Sequence, residues 1–172
     1  MDGYIVGIDP GKHGAVAVYS APSRSLEDVS DIPLIKVTKK SKQFQEVDWF
    51  SYTQWLRQIL LFWGKPLMLV VEKVGAMPKQ GTASMFAFGD VSGAQRELAR
   101  YILQPRCFEN PVPGVWKRAM GLGTETGDIL KKTESYFTQQ SIRFRGPRGA
   151  ILDGRCEAAM LAAYGHKLLA GK

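Results

Sequence analysis

Four acids stand where a chain would build hydrolytic chemistry: Asp9, Glu72, Asp153 and Glu157. Asp9 closes a short apolar run within Gly7-Ile8-Asp9-Pro10-Gly11, and Pro10-Gly11 turns the chain sharply away. Glu72 closes the run 67–71, whose lack of polar alternation implies a strand covered on both faces. Asp153 and Glu157 are four residues apart at the head of a helix of small apolar residues. That spacing puts both on one helix face, with Asp153 a candidate cap. Each has a bland explanation alone: a turn aspartate, a strand end paired with Lys73, a cap and a solvated face. Taken together they point elsewhere. Two carboxylates about 4 Å apart repel by roughly 4 kcal/mol at an effective dielectric of 20, so converging acids need a cation. With no His or Cys donors beside them, an all-oxygen site suits Mg2+ or Mn2+. Two such ions roughly 4 Å apart can clamp a phosphodiester, activating water on one side and stabilising the leaving oxygen on the other.

The elements that position these acids read as an α/β domain. Residues 4–9 and 15–20 form two strands, 21–28 a polar turn region, and 30–38 a third strand that Pro33 weakens and pushes to an edge. Lys39, Lys40 and Lys42 follow as a basic loop, either a phosphate contact or simply solvated. Asp48 caps a helix whose stripe Tyr52, Leu56, Ile59, Leu60 and Trp63 faces a sheet, and Gly64-Lys65-Pro66 stops it. After the strand 67–71 comes a loop carrying Lys73, Gly75, Met77, Pro78, Lys79 and Gly81, then a long helix over 82–103. Gly89 and Gly93 lie one turn apart on that helix and permit close backbone approach, within the chain or from a second subunit. Residues 104–109 make a short fifth strand. Then come a helix over 115–122 with Trp116, Lys117 and Arg118, another over 128–140 with Lys131 and Lys132, and a basic loop with Arg143, Arg145 and Arg148.

The 172 residues suffice for one domain, 1–172, with a real core. Apolar residues at 45% and charged residues at 23% fit a folded chain. The net charge of +7, from 23 Lys and Arg against 16 acids, is consistent with contact to phosphates, or with solubility alone. No apolar run approaches the roughly 20 residues of a membrane span, and no signal-peptide pattern opens the chain. Cys107 and Cys156 form no CxxC motif, so zinc is not expected and a reduced, cytoplasmic compartment is.

The motifs resemble those of the RuvC-type Holliday-junction resolvases of the ribonuclease H-like superfamily, most closely the bacteriophage versions. The matching pieces are Gly7-Ile8-Asp9-Pro10-Gly11, Val70-Val71-Glu72-Lys73-Val74, Asp153-Gly154-Arg155-Cys156-Glu157-Ala158-Ala159 and, as the family's dimer helix, the stretch 84–93. The resemblance covers about residues 4–168 and rests on the order and spacing of these motifs. It implies a ribonuclease H-like fold with a five-stranded mixed sheet flanked by helices. It also implies a homodimeric, Mg2+-dependent endonuclease, with Mn2+ able to substitute. Two ions per subunit and paired symmetric nicks in four-way DNA junctions complete the picture, in a bacterial or phage-infected cytoplasm.

Asp9, Glu72, Asp153 and Glu157 carry over as metal-binding acids, and Lys117 with Lys131 or Lys132 as active-site cations. Lys73, Lys79, Lys117, Arg118, Lys131, Lys132, Arg145 and Arg148 are the expected DNA contacts. The chain departs from the family twice. Its last motif has Asp and Glu four apart where two aspartates three apart are common. Gly75 stands where the cellular enzymes carry an aromatic at the junction core, with Met77 as a possible substitute. The alternatives are a nuclease of broader branch selectivity acting on flaps, forks and Y-junctions, a non-catalytic junction-binding protein, and a ribonuclease acting on RNA–DNA hybrids.

Overall fold

A computed structural model of the chain describes residues 3–39, 41–75, 81–123 and 125–171. Seven strands and five α-helices follow in the order β1 (Tyr4–Asp9), β2 (Ala15–Ser20), β3 (Ser25–Asp31), β4 (Leu34–Lys39), β5 (Lys42–Val47), α1 (Trp49–Trp63), β6 (Met68–Val71), α2 (Thr82–Leu103), β7 (Cys107–Glu109), α3 (Pro113–Met120), α4 (Thr126–Tyr136) and α5 (Asp153–Ala170). The main sheet has five strands in the order β3-β2-β1-β6-β7. It is mixed: β1 pairs antiparallel with β2 and parallel with β6, and β6 pairs parallel with β7.

Alternation along the strands sorts the core into two layers. Ile5, Ala17, Met68 and Val70 face α5, α3 and α4, whereas Val6, Ile8, Val18, Leu69 and Val71 face α1 and α2. The sheet is therefore covered on both sides, as the apolar run before Glu72 requires. The closest approach is between β1 and α5. A Cβ on Gly7 would stand 2.2 Å from the Ala158 carbonyl oxygen, and one on Gly154 would stand 2.4 Å from that of His13. Gly7 thus lets the last helix lie directly on the strand that carries Asp9, and Gly154 lets it close on the turn that follows.

Asp48 caps α1 as expected, its carboxylate accepting from the Ser51 N–H at 3.1 Å and the Ser51 hydroxyl at 2.7 Å. Three expectations need correction. The third strand is Ser25–Asp31, not 30–38, and Pro33 separates it from β4. Of the expected basic loop, Lys39 and Lys42 instead end and begin strands: β4 and β5 form their own two-stranded ribbon, outside the main sheet, and Lys40 lies outside the described residues. Asp153 does not cap α5; Leu152 holds the cap position and Asp153 is the first helical residue.

Candidate active site

Strand parity decides where two of the acids go. Ile8 lies opposite Val71 on parallel strands, and the Glu72 N–H donates to the Ile8 carbonyl at 3.0 Å. Gly7 and Val70 both face α5, so Asp9 and Glu72, two residues further along, emerge side by side on that face. Glu157 reaches them from the first turns of α5. One carboxylate oxygen from each of Asp9, Glu72 and Glu157 lies within 4.8 Å of the others, and all three side chains are half-buried. These are hard, anionic oxygen donors drawn from three elements, and they fit a divalent cation of the Mg2+ or Mn2+ kind.

The electrostatics agree. The Asp9 carboxyl is pushed well above the usual carboxylate range, first by burial, then by the charges of Glu157 and Glu72. Glu72 is also raised, mainly by burial, although a hydrogen bond from Trp116 pulls the other way. One cation answers the three acids directly: Lys117 Nζ sits 2.8 Å from Glu157 Oε1, and its charge favours the ionised forms of both Asp9 and Glu72.

Sequence reasoning did not find the groups that hold the acids in place. Trp116, fully buried on α3, donates its indole N–H to Glu72 Oε1 at 2.8 Å. Gln95, fully buried on α2, clamps the turn after Asp9: it accepts the Gly11 N–H at 2.7 Å and donates to the Gly11 carbonyl at 3.3 Å. The Tyr52 hydroxyl in turn donates to the Gln95 carbonyl at 3.2 Å. Asn110 donates to the Val71 carbonyl at 2.6 Å and fixes the strand end that carries Glu72. A signal existed for Trp116, because a buried indole N–H needs an acceptor, but nothing in the sequence says which.

Asp153 stands apart from the three acids. It is exposed, and its Oδ2 accepts from the Thr126 hydroxyl at 3.3 Å. Residues four apart share a helix face but differ in depth by about one 5.4 Å turn. The Asp153 charge still reaches the corner, adding a smaller push to the raised Asp9 carboxyl. Asp153 also lines the same cavity of about 770 Å3 as Asp9 and Glu157, with Glu46, Val47 and Trp49 also in the wall.

The remaining cations are peripheral. Lys73, Arg118, Lys131, Lys132 and Arg148 are exposed. Arg145 is held by Glu134 in a two-point ion pair at 2.7 and 3.0 Å. Lys79 and Met77 lie outside the described residues. Gly75 is exposed, with open space where a side chain would be. Arg155 had no role in the sequence reading; it pairs with Asp31 at 2.7 and 2.9 Å and ties the head of α5 to the end of β3.

The five-stranded mixed sheet and its flanking helices form an α/β fold that is shared with solved RuvC-type resolvases. The chain superposes on RuvC of T. thermophilus in complex with a Holliday junction substrate with a TM-score of 0.58 at 10% identity, over 98% of this chain and 96% of that one. A second Thermus thermophilus RuvC structure matches with a TM-score of 0.51 at 11% identity, over 96% of each chain. The yeast mitochondrial Holliday junction resolvase Ydc2 matches with a TM-score of 0.59 at 13% identity, over 98% of this chain and 80% of that one. No family model and no curated protein sequence matches the chain. At such identities the likeness is one of fold. Among the described residues, no helix is long and apolar enough to cross a membrane.

Proposed function

We propose that this protein is a Mg2+-dependent, structure-specific endonuclease that resolves four-way DNA junctions as a homodimer, each subunit nicking one strand at symmetric positions. The single observation that carries the reading is the meeting of Asp9, Glu72 and Glu157 on a fold shared with junction resolvases. Asp9, Glu72 and Glu157 would hold the divalent ions, with Asp153 as an outer acid on the same cavity wall. When bound, such ions supply an activated water and Lewis-acid stabilisation of the leaving oxygen. The chain's own residues do the rest. Trp116 fixes the Glu72 carboxylate by its N–H, and Gln95 fixes the backbone behind Asp9. Lys117 places a positive charge at the edge of the acid cluster, where it stabilises the charge developing on a scissile phosphate. Lys73, Lys79, Arg118, Lys131, Lys132, Arg145 and Arg148 would contact phosphates, with Lys131 or Lys132 also near the reacting group. Hydrolysis would leave nicks that a ligase can seal.

The first half of α2 supports pairing of two copies. Phe86 is 81% exposed, Gly89 is exposed, and added Cβ atoms at Gly89 and Gly93 would meet nothing within 4 Å. An isologous contact there would match a two-fold substrate. The missing aromatic at Gly75 favours a second reading, a nuclease that also cuts flaps, forks and Y-junctions. A labelled four-way junction incubated with protein and Mg2+, beside a panel of other branches, tests both. Paired, symmetric nicks confined to the four-way substrate are expected. Equal cutting of all branches would select the broader activity, and binding without cutting would leave only a junction-binding protein.

A further inference from the structure

Among the described residues, the β4–β5 ribbon adds only its root, Leu34 and Val47, to the core. Its root is anchored: the Ile32 N–H donates to the Gly14 carbonyl at 3.0 Å, the Asp48 N–H to the Pro33 carbonyl at 2.9 Å, and Val47 is buried. Beyond the root it leaves the body. Lys36, Thr38, Lys42, Gln43, Phe44 and Gln45 are all exposed, Phe44 to 47%. A two-stranded ribbon alone is marginal in water, so twelve residues spent on one call for a partner outside the chain.

The ribbon's chemistry names that partner. Residues 34–47 hold four lysines against one glutamate, and the exposed positions between are amide, hydroxyl, phenyl and the aliphatic side chain of Ile35. Opposite pairs share a face, so Lys36 with Gln45 and Thr38 with Gln43 make one polar strip. The ribbon also starts at the acids. Glu46 and Val47 line the cavity that holds Asp9, Asp153 and Glu157, and Lys12, in the turn after Asp9, donates from Nζ to the Gln45 carbonyl at 2.7 Å. From Val47 to Lys42 it projects outward by about 17 Å at 3.3–3.4 Å per residue. A two-stranded ribbon is of a size that enters a DNA major groove or lies along its backbone.

We infer that the β4–β5 ribbon grips a duplex arm beside the cutting site from both its faces, with Lys36 on one face and Lys42 on the other reaching phosphates. The inference rests on the nuclease reading above and assigns that site a contact remote from the acids. The test compares wild type, the double variant Lys36→Gln/Lys42→Gln, the double variant Lys36→Arg/Lys42→Arg, and Lys65→Gln at the opposite end of the sheet. Junction affinity is measured in Ca2+ from about 50 to 200 mM salt. Two lost phosphate contacts should lower the slope of log K against log salt by about 1.8 and weaken binding roughly tenfold at the low-salt end.

The arginine pair should keep the wild-type slope, Lys65→Gln should change nothing, and single-turnover cutting at saturating protein should stay within about twofold of wild type. An unchanged slope in the glutamine pair overturns the inference. So does a fall in saturated cutting with binding intact, or a shift in sedimentation showing that the ribbon joins two copies instead. If wild-type protein neither binds nor cuts branched DNA, the nuclease reading itself has failed, a result distinct from any of these.

Discussion

The acid corner and the basic surface are built by opposite rules. At the corner each acid is held by specific partners, Glu72 by the most. Glu72 is pinned by the β1–β6 ladder, by Trp116 and, through Val71, by Asn110; Asp9 rests on a turn clamped by a buried amide; Glu157 meets Lys117. Around it, Lys73, Arg118, Lys131, Lys132 and Arg148 are exposed, on loops, helix surfaces or a short 3-10 turn. In the proposed nuclease the contrast would separate two tasks. Chemistry needs side chains held to a fraction of an ångström, whereas a bent, variable polyanion is better met by long side chains that adjust.

If that division is right, damage at the corner removes turnover and spares binding. Asp9→Asn keeps size and removes the charge; cutting should fall by at least about a thousandfold, some 4 kcal/mol, with junction affinity within about threefold. Single-turnover cleavage and a binding isotherm measure the two, and full cleavage by this variant would remove Asp9 from the site. Trp116→Phe is the sharper probe because it keeps a ring in the core and deletes only the donor to Glu72. A fall in cutting of about 10- to 100-fold with an intact fold is expected, the range typical of losing a group that orients a ligand.

The same corner has a signature without DNA. Burial and the neighbouring acids raise Asp9, so the folded state binds its proton more tightly than the unfolded chain does. Metal-free stability from this group is then greatest below the ordinary carboxylate range and falls as pH rises through the raised value. Metal should bind more tightly across that same rise, because it competes with the proton. Thermal unfolding at mildly acidic and at neutral pH should show wild type losing more stability than Asp9→Asn. Each kcal/mol moves the midpoint about 2–4 °C in a chain of this size. Added Mg2+ should raise the wild-type midpoint at neutral pH and barely move that of the variant. Equal responses from both proteins would mean that Asp9 holds no ion.

Much of this corner was legible in the chain. An unbroken apolar run ending in an acid marks a buried strand with a carboxylate at its tip, and the bounds of α2 follow from its composition. What stayed hidden has physical causes. The strand Ser25–Asp31 escaped because the β2–β3 register shifts between Val18 and Tyr19. That shift puts Leu26 and Val29, three residues apart, into one core and breaks the two-residue period. Trp116, Gln95 and Asn110 act across 44, 84 and 39 residues of sequence, and no local pattern reports such pairings. For Asp153 the spacing described the shared helix face but not the depth.

The smallest effect lies on the basic surface and cuts against intuition. Arg145 is named as a DNA contact, yet its guanidinium is taken up by Glu134. Exposed ion pairs contribute little to stability, so Glu134→Gln should leave the unfolding midpoint nearly unchanged. It would, however, free the guanidinium and remove an anion from the rim. Junction affinity at low salt should then rise roughly two- to threefold, with a slightly steeper salt dependence. Cutting at saturating protein should not move, because among the described residues the pair makes no hydrogen bond to Asp9, Glu72 or Glu157. Arg145→Gln in the Glu134→Gln background should cancel the gain. If Glu134→Gln weakens binding instead, the pair serves to shape the loop, and Arg145 leaves the set of phosphate contacts while the corner stands untouched.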